Sequence, residues 1–467
     1  MSQTSDPTGS ASPPDLVIHG GRVVGSRGVV EADVVVSGER IVAVGGPGPT
    51  VEARQTVEAK GLYVLPGAID PHLHCRMFSL PMVDDFQAAS IGAAFGGVTT
   101  VIPFVGGPEG MSLPEALEQF AREGDSASVV DFAMHARLRP DPRLIEQVPD
   151  AIARGVTSIK MFQAYRKRGL LFTDDLLLKT MELTAAHGGL ALVHAENGFA
   201  IDYLEDSLIA RGQTGPEHYL RSRPHWTETE AVARAAGLAA LMGCTLYVVH
   251  LSTREGLDEI RRARGRGQEV YAETCPQYLF LTDAEMRRQK GLAKIAPPLR
   301  WDTDREALWD GLRRGDVQTI GSDHAPFALA DKEAGAADIF AVGFGMPGVE
   351  TMVPLLASAS LDGSGLSMPE LAAALSENAA RIFGLYPRKG AIEVGADADI
   401  VLLDPNAQWT VRAADLHSHA GYTCFEGWTV RGRIVASFLR GRPLVKDGRL
   451  CQRPGYGVFL PRKARAA

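Results

Sequence analysis

Cysteine is scarce in this chain: there are five in 467 residues (Cys75, Cys244, Cys275, Cys424 and Cys451), far apart and never as Cys-x-x-Cys. That argues against a disulfide framework or a structural zinc knuckle and for a reducing cytoplasm. No apolar run approaches the roughly 20 residues needed to span a bilayer, so no membrane partner is expected. The opening MSQTSDPTGSASPP has neither the basic start nor the apolar stretch of a secretory signal, and residues 1–14 read as a disordered tail. No block is strongly basic, and 48 Lys and Arg against 56 Asp and Glu leave a net charge of −8. Nucleic acid is therefore excluded as a partner, although one or two arginines can still hold a small anion. With 45% hydrophobic and 22% charged residues, the chain is globular rather than disordered.

Two β-rich segments flank a different middle. DLVIHGGRVV, EADVVVSGERIVAVGG and QTVEAKGLYVLPG set Val and Ile between glycine turns, and the same texture returns in GAIEVGADADIVLLDP and WTVRGRIVASFLRGRPLVKDG. The two segments are expected to pair as one small β-sandwich, residues 15–65 with 389–450, leaving 451–467 as a C-terminal tail. Between them, over 66–388, strand and helix signals alternate. The strands expected are 63–69, 99–104, 129–136, 158–162, 190–194, 246–250, 270–274 and 318–321. Eight apolar strands alternating with helices predict an α/β fold, a (β/α)₈ TIM barrel. An open doubly wound sheet is disfavoured, because no Gly-x-Gly-x-x-Gly follows an early strand.

Barrel chemistry sits at the C-terminal ends of strands. Those ends carry His72 and His74 (IDPHLHC), Lys160 (SIKMF), His194 (LVHAEN), His250 (YVVHLS) and Asp323 (TIGSDHAPF). Singly, each has an ordinary explanation: His-x-His pairs occur by chance, strand-end histidines are often core, a lysine can snorkel and an aspartate can cap a helix. The pair His417 and His419, with no barrel strand beneath it, is read as surface or packing. Five strands delivering ligand-type residues at one end are the stronger signal, and they predict a metal site. Imidazole and carboxylate without thiolate suit zinc, manganese, iron or cobalt. Four histidines and an aspartate are generous for one tetrahedral ion. Two divalent ions need a bridging anion, and a buried, neutral Lys160 can add carbon dioxide to become one, as N6-carboxylysine.

PHLH, SIKMFQAY, LVHAENG, YVVHLST, ETCPQYLFL, PPLR, ALWDGLRRGD and GSDHAPF, in that order, resemble the cyclic amidohydrolases: dihydropyrimidinases and hydantoinases, allantoinases and dihydroorotases. The resemblance runs from about Asp15 to Gly448. It implies the barrel with a terminal β-sandwich, a homotetramer or homodimer, and hydrolytic opening of a small cyclic amide or imide. It assigns His72, His74 and Asp323 to one metal and His194 and His250 to the other, with carboxylated Lys160 between them. Asp323 is then the proton shuttle, and Tyr165 stabilises the tetrahedral oxyanion. The run through SIKMFQAY and YAETCPQYL is most similar to the dihydropyrimidinase and hydantoinase branch. In that branch Asn-Gly-Val usually stands where Phe344-Gly345-Met346 does, and Ser where Ala296 does, so Ala296 and Phe344 are candidate substrate contacts. Arg76, two residues after His74, resembles the dihydroorotase arginine that grips a substrate carboxylate, so an allantoinase- or dihydroorotase-type substrate is the alternative. Its plainer role is to pair with Asp84 or Asp85. A non-catalytic dihydropyrimidinase-like scaffold would have lost ligands, and all six positions are present.

Overall fold

The computed structural model describes residues 13–46, 52–76 and 81–465, so most of the segment read as a disordered tail lies outside the described residues. Two nine-stranded sheets organise the chain. The first takes β1 (Leu16–Gly25), β2 (Gly28–Ser37), β3 (Arg40–Gly45), β4 (Thr56–Glu58) and β5 (Tyr63–Pro66) from the N-terminal region. The second takes β6 (Ala68–Leu73), β7 (Val98–Val105), β8 (Asp131–Phe132), β9 (His135–Arg137), β10 (Ser158–Phe162), β11 (Leu190–His194), β12 (Leu246–Val248), β13 (Val270–Thr274) and β14 (Thr319–Ile320). The chain then returns to the first sheet with β15 (Ile400–Thr410), β16 (Thr429–Leu439), β17 (Arg442–Lys446) and β18 (Arg449–Leu450). The two ends meet where β15 pairs antiparallel with β5, Ile400 opposite Pro66. Leu16, Ile18, Val34, Val64, Ile400 and Phe438 cluster as the small domain's own core.

The second sheet is the barrel. Its strands pair in parallel in the order β6-β7-β9-β10-β11-β12-β13-β14, and a parallel bridge from Leu73 to His324 draws the last strand back to the first. Strands such as LALVH and SIKMF are buried throughout, because helices cover one side of a parallel sheet and the barrel's own filling covers the other. Two expected strands are divided. Residues 63–69 split at Gly67, which passes the chain from one sheet to the other. A Cβ there would lie 2.1 Å from Thr99 Oγ1, so only glycine fits. Residues 129–136 become β8 and β9, because Phe132 exchanges backbone hydrogen bonds with Val458 and Leu460 of the C-terminal segment.

That segment and both domains are joined around Asp131. Its buried carboxylate accepts from Lys389 Nζ at 2.6 Å, from Arg440 and from Val458 N at 3.0 Å. Burial works against the charge on Lys389, but Asp399, Asp131 and Asp397 outweigh it and hold the ammonium charged. Asp131→Ala would leave two buried cations short of an anion, at a cost of about 3–5 kcal/mol. A correspondingly lower denaturation midpoint is expected, with barrel and small domain losing their coupling.

Candidate metal centre and active-site cleft

Nine of the ten side chains singled out from the sequence line one cleft at the C-terminal mouth of the barrel: His72, His74, Lys160, Tyr165, His194, His250, Ala296, Asp323 and Phe344. The tenth, Arg76, is not among its described lining residues. Its backbone N–H donates to Asp84 O and its half-exposed guanidinium pairs with Asp85 at 3.3 Å. Asp85 is the N-cap of helix α1 (Phe86–Phe95), so the chain after His74 is drawn out toward that helix. This pairing with a loop acid is the plainer of the two roles expected of Arg76.

The first strand delivers His72 and His74 to one side, as two-residue spacing requires. Asp323 Oδ1 lies 3.1 Å from His72 Nε2 and 3.3 Å from His74 Nε2. The first and last strands are locked beneath them, since Ser322 donates to Asp70 through N (2.9 Å) and Oγ (2.5 Å). Gly321 is obligatory here, because a Cβ would lie 2.7 Å from His72 Cβ. The His250 ring stands 5.2 Å from His72 and 4.5 Å from His194. Lys160 is buried between the rings of Phe104 (4.9 Å) and Phe162 (5.1 Å).

Two acids that sequence reasoning missed orient the rings. Glu273 Oε1 faces His72 Nδ1 at 2.5 Å, which turns Nε2 toward Asp323. The same carboxylate accepts from His250 N at 3.0 Å and from Tyr247 OH at 2.8 Å. Glu196 takes the Nε2 proton of His194 at 2.8 Å, freeing Nδ1 as the donor atom, and is itself held by Arg223 at 2.5 Å. Carboxylates behind imidazoles are how proteins orient metal ligands. An acid inside the apolar strand VYAET, and another two residues beyond a strand-end histidine, were the available signals.

The protonation states follow from burial and these carboxylates. Burial opposes a charge on His72, but Glu273 and Asp323 prevail and raise its pKa to about 9. Burial lowers His74 to about 4 and puts His250 well below its ordinary value. Burial works against the Asp323 charge too, yet His72 and His74 hold the carboxyl well below its usual range. Burial brings Lys160 down to about 7, with Glu273 and Asp323 resisting only in part. His250 Nδ1 is shut off from solvent without a hydrogen-bond partner. Clustered imidazole nitrogens around an ionised carboxylate, an unpartnered ring nitrogen and a lysine that readily loses its proton form a donor set that fits divalent cations. Backbone strain gathers here as well: Tyr165 (φ 65°), His250 (φ 38°) and Asp323 (φ 48°) have left-handed φ, a cost that surrounding structure must hold in place.

Four further histidines are accounted for locally. His417 stacks on Phe95 at 3.8 Å and bonds Glu350, while His419 is mostly exposed. His324 bonds Asp84, and His135 bonds Ser158 Oγ and Pro71 O.

A closing parallel barrel with imidazoles, a carboxylate and a lysine at its mouth defines a hydrolase of the metal-dependent barrel class. Residues 63–444 match the amidohydrolase family, and the chain belongs to it. It is 37% identical to the D-hydantoinase of Ralstonia pickettii over 458 residues, covering 96% of this chain and 99% of that one. It is 38% identical to the D-hydantoinase of Streptomyces coelicolor over 460 residues, covering 96% and 97%. The dihydropyrimidinase structure from Brevibacillus agri superposes with a TM-score of 0.92 at 35% identity, covering 97% and 99%. The L-hydantoinase structure from Arthrobacter aurescens gives 0.92 at 32% identity, covering 96% and 100%.

Proposed function

We propose that this protein hydrolytically opens the ring of a cyclic amide or imide of the hydantoin or dihydropyrimidine type. The observation that carries the reading is the convergence of His72, His74, Lys160, His194, His250 and Asp323 on one cleft, within a chain whose full-length relatives are hydantoinases. His72, His74 and Asp323 would hold one cation, and His194 and His250 a second, with Lys160 as N6-carboxylysine between them. Zinc is the first choice, with manganese, iron or cobalt suited to the same donors. When bound, two such cations acidify water toward neutral pH and polarise the amide carbonyl.

The chain's own groups do the rest. Asp323 takes a proton from the attacking water and passes it to the departing ring nitrogen. Tyr165, its ring 4.7 Å from His194 and 5.6 Å from Phe344, donates its hydroxyl to the developing oxyanion. Burial raises the Tyr165 pKa, so the phenol stays protonated and able to donate. Tyr165→Phe keeps the ring packing and removes one donor, so kcat is expected to fall about 10²–10³-fold with KM little changed. Steady-state kinetics check this, and an unaltered kcat would leave Tyr165 a packing residue.

No helix among the described residues is long and apolar enough to cross a membrane. A cytoplasmic homotetramer or homodimer completes the reading. Its test is a substrate panel of hydantoin, dihydrouracil, allantoin and dihydroorotate with metal-replete protein. Turnover of the first two is expected, and selective turnover of allantoin or dihydroorotate would overturn the assignment to this branch.

A further inference from the structure

Arg137 ends β9 and is the register partner of Lys160 on β10, so the two side chains leave the sheet on the same face, into the cleft. Its guanidinium makes one hydrogen bond, Nη2 to Gly106 O at 3.3 Å, while Nε is closed to solvent and has no partner. Two other buried arginines meet acids, Arg223 with Glu196 and Arg440 with Asp131, while Arg300 and Arg462 each donate to a backbone carbonyl and a serine hydroxyl. Arg137 pairs with no carboxylate among the described residues. Burial, helped by the nearby positive Arg139, lowers its pKa to about 10, so it is still charged at neutral pH. A second guanidinium, Arg168, stands at the rim of the same cleft, 4.6 Å over the Phe344 ring and likewise without an ion pair among the described residues. The acid lining this cleft, Asp323, is already engaged by His72 and His74.

Among the described residues, the cleft holds two guanidiniums and no carboxylate side chain free to answer them, which suits a ligand that brings its own negative charge. A carboxylate offers two oxygens that match a guanidinium edge. Resting on the hydrolase reading above, we infer that the preferred substrate is a hydantoin-type ring carrying a carboxylate at the end of a side arm, read by Arg137 from within and by Arg168 at the rim, with the neutral parent rings turned over less efficiently. Arg76, paired with Asp85 and outside the described lining of the cleft, is not the residue assigned this part.

The test compares hydantoin-5-acetate with its neutral counterpart hydantoin-5-acetamide on the full-length, metal-replete protein, by calorimetric binding and by kcat/KM. The acid is expected to be favoured roughly 30–100-fold, the range for a charge-assisted bidentate contact. In Arg137→Met that ratio should fall to near one, with metal content per chain unchanged. Arg137→Lys should restore part of it, and Arg168→Ala should lower it a few-fold through KM. Equal handling of acid and amide by the wild type would overturn the inference. So would Arg137→Met keeping the preference, or losing metal and both ligands together, which would make Arg137 a support for Lys160. If no cyclic amide is turned over, the hydrolase reading fails by itself, and calorimetric preference for the acid still decides the subsite.

Discussion

Asp323→Asn is expected to lower kcat by about 10²–10⁴-fold, the usual range for a positioned proton shuttle, with much of the metal still bound. Asparagine is the informative exchange. It keeps an oxygen where Asp323 Oδ1 faces both imidazoles, and it tolerates the left-handed backbone at this position (φ 48°) better than alanine does. What it removes is the anionic base that His72 and His74 keep ionised. Metal analysis beside steady-state kinetics separates the two roles. Near-normal turnover would take Asp323 out of the mechanism, and loss of metal in proportion to activity would make it a ligand only.

Lys160→Ala is expected to cost at least about 10²–10³ in kcat, the scale of losing one charge-stabilising contact, together with part of the bound metal. A short carboxylate such as propionate, filling the vacated space, should return a measurable share of activity. Lys160→Arg should be as inactive as the alanine variant, because a guanidinium does not shed its proton to combine with carbon dioxide. The pH dependence has a definite sign. Burial puts the Lys160 pKa at about 7, so the reactive neutral amine dominates above that pH and is scarce below it. Reactivation of chelated protein with a divalent ion, at fixed dissolved carbon dioxide, should therefore be about tenfold faster at pH 8 than at pH 6. A flat profile, or an active Lys160→Arg, would contradict a carboxylated lysine.

Much of this site was legible because each donor sits in an apolar strand or within three residues of its end. LALVH and SIKMF declare both the strand and the residue at its mouth, and β10, β11 and β13 begin and end where the pattern of apolar residues says they should. The less legible parts depend on partners distant in sequence. Glu273 matters through His72, 201 residues away, and Glu196 through Arg223. Arg76 and Arg137 were indistinguishable in type, and only the fold shows that Asp85 neutralises one while the other faces the cleft uncompensated. The break of the third strand likewise depends on pairing with the C-terminal segment, which local propensity cannot reveal.

The claim beneath all of this is that six side chains from five strands jointly hold a pair of divalent ions. Its most direct test is the metal content of the wild-type protein, measured by mass spectrometry after reconstitution with zinc or manganese and bicarbonate, on the samples assayed for ring opening. About two ions per chain are expected, with hydantoin or dihydrouracil hydrolysis rising in step with occupancy. A protein that binds no metal, or that fills with metal and still opens no cyclic amide, would contradict it.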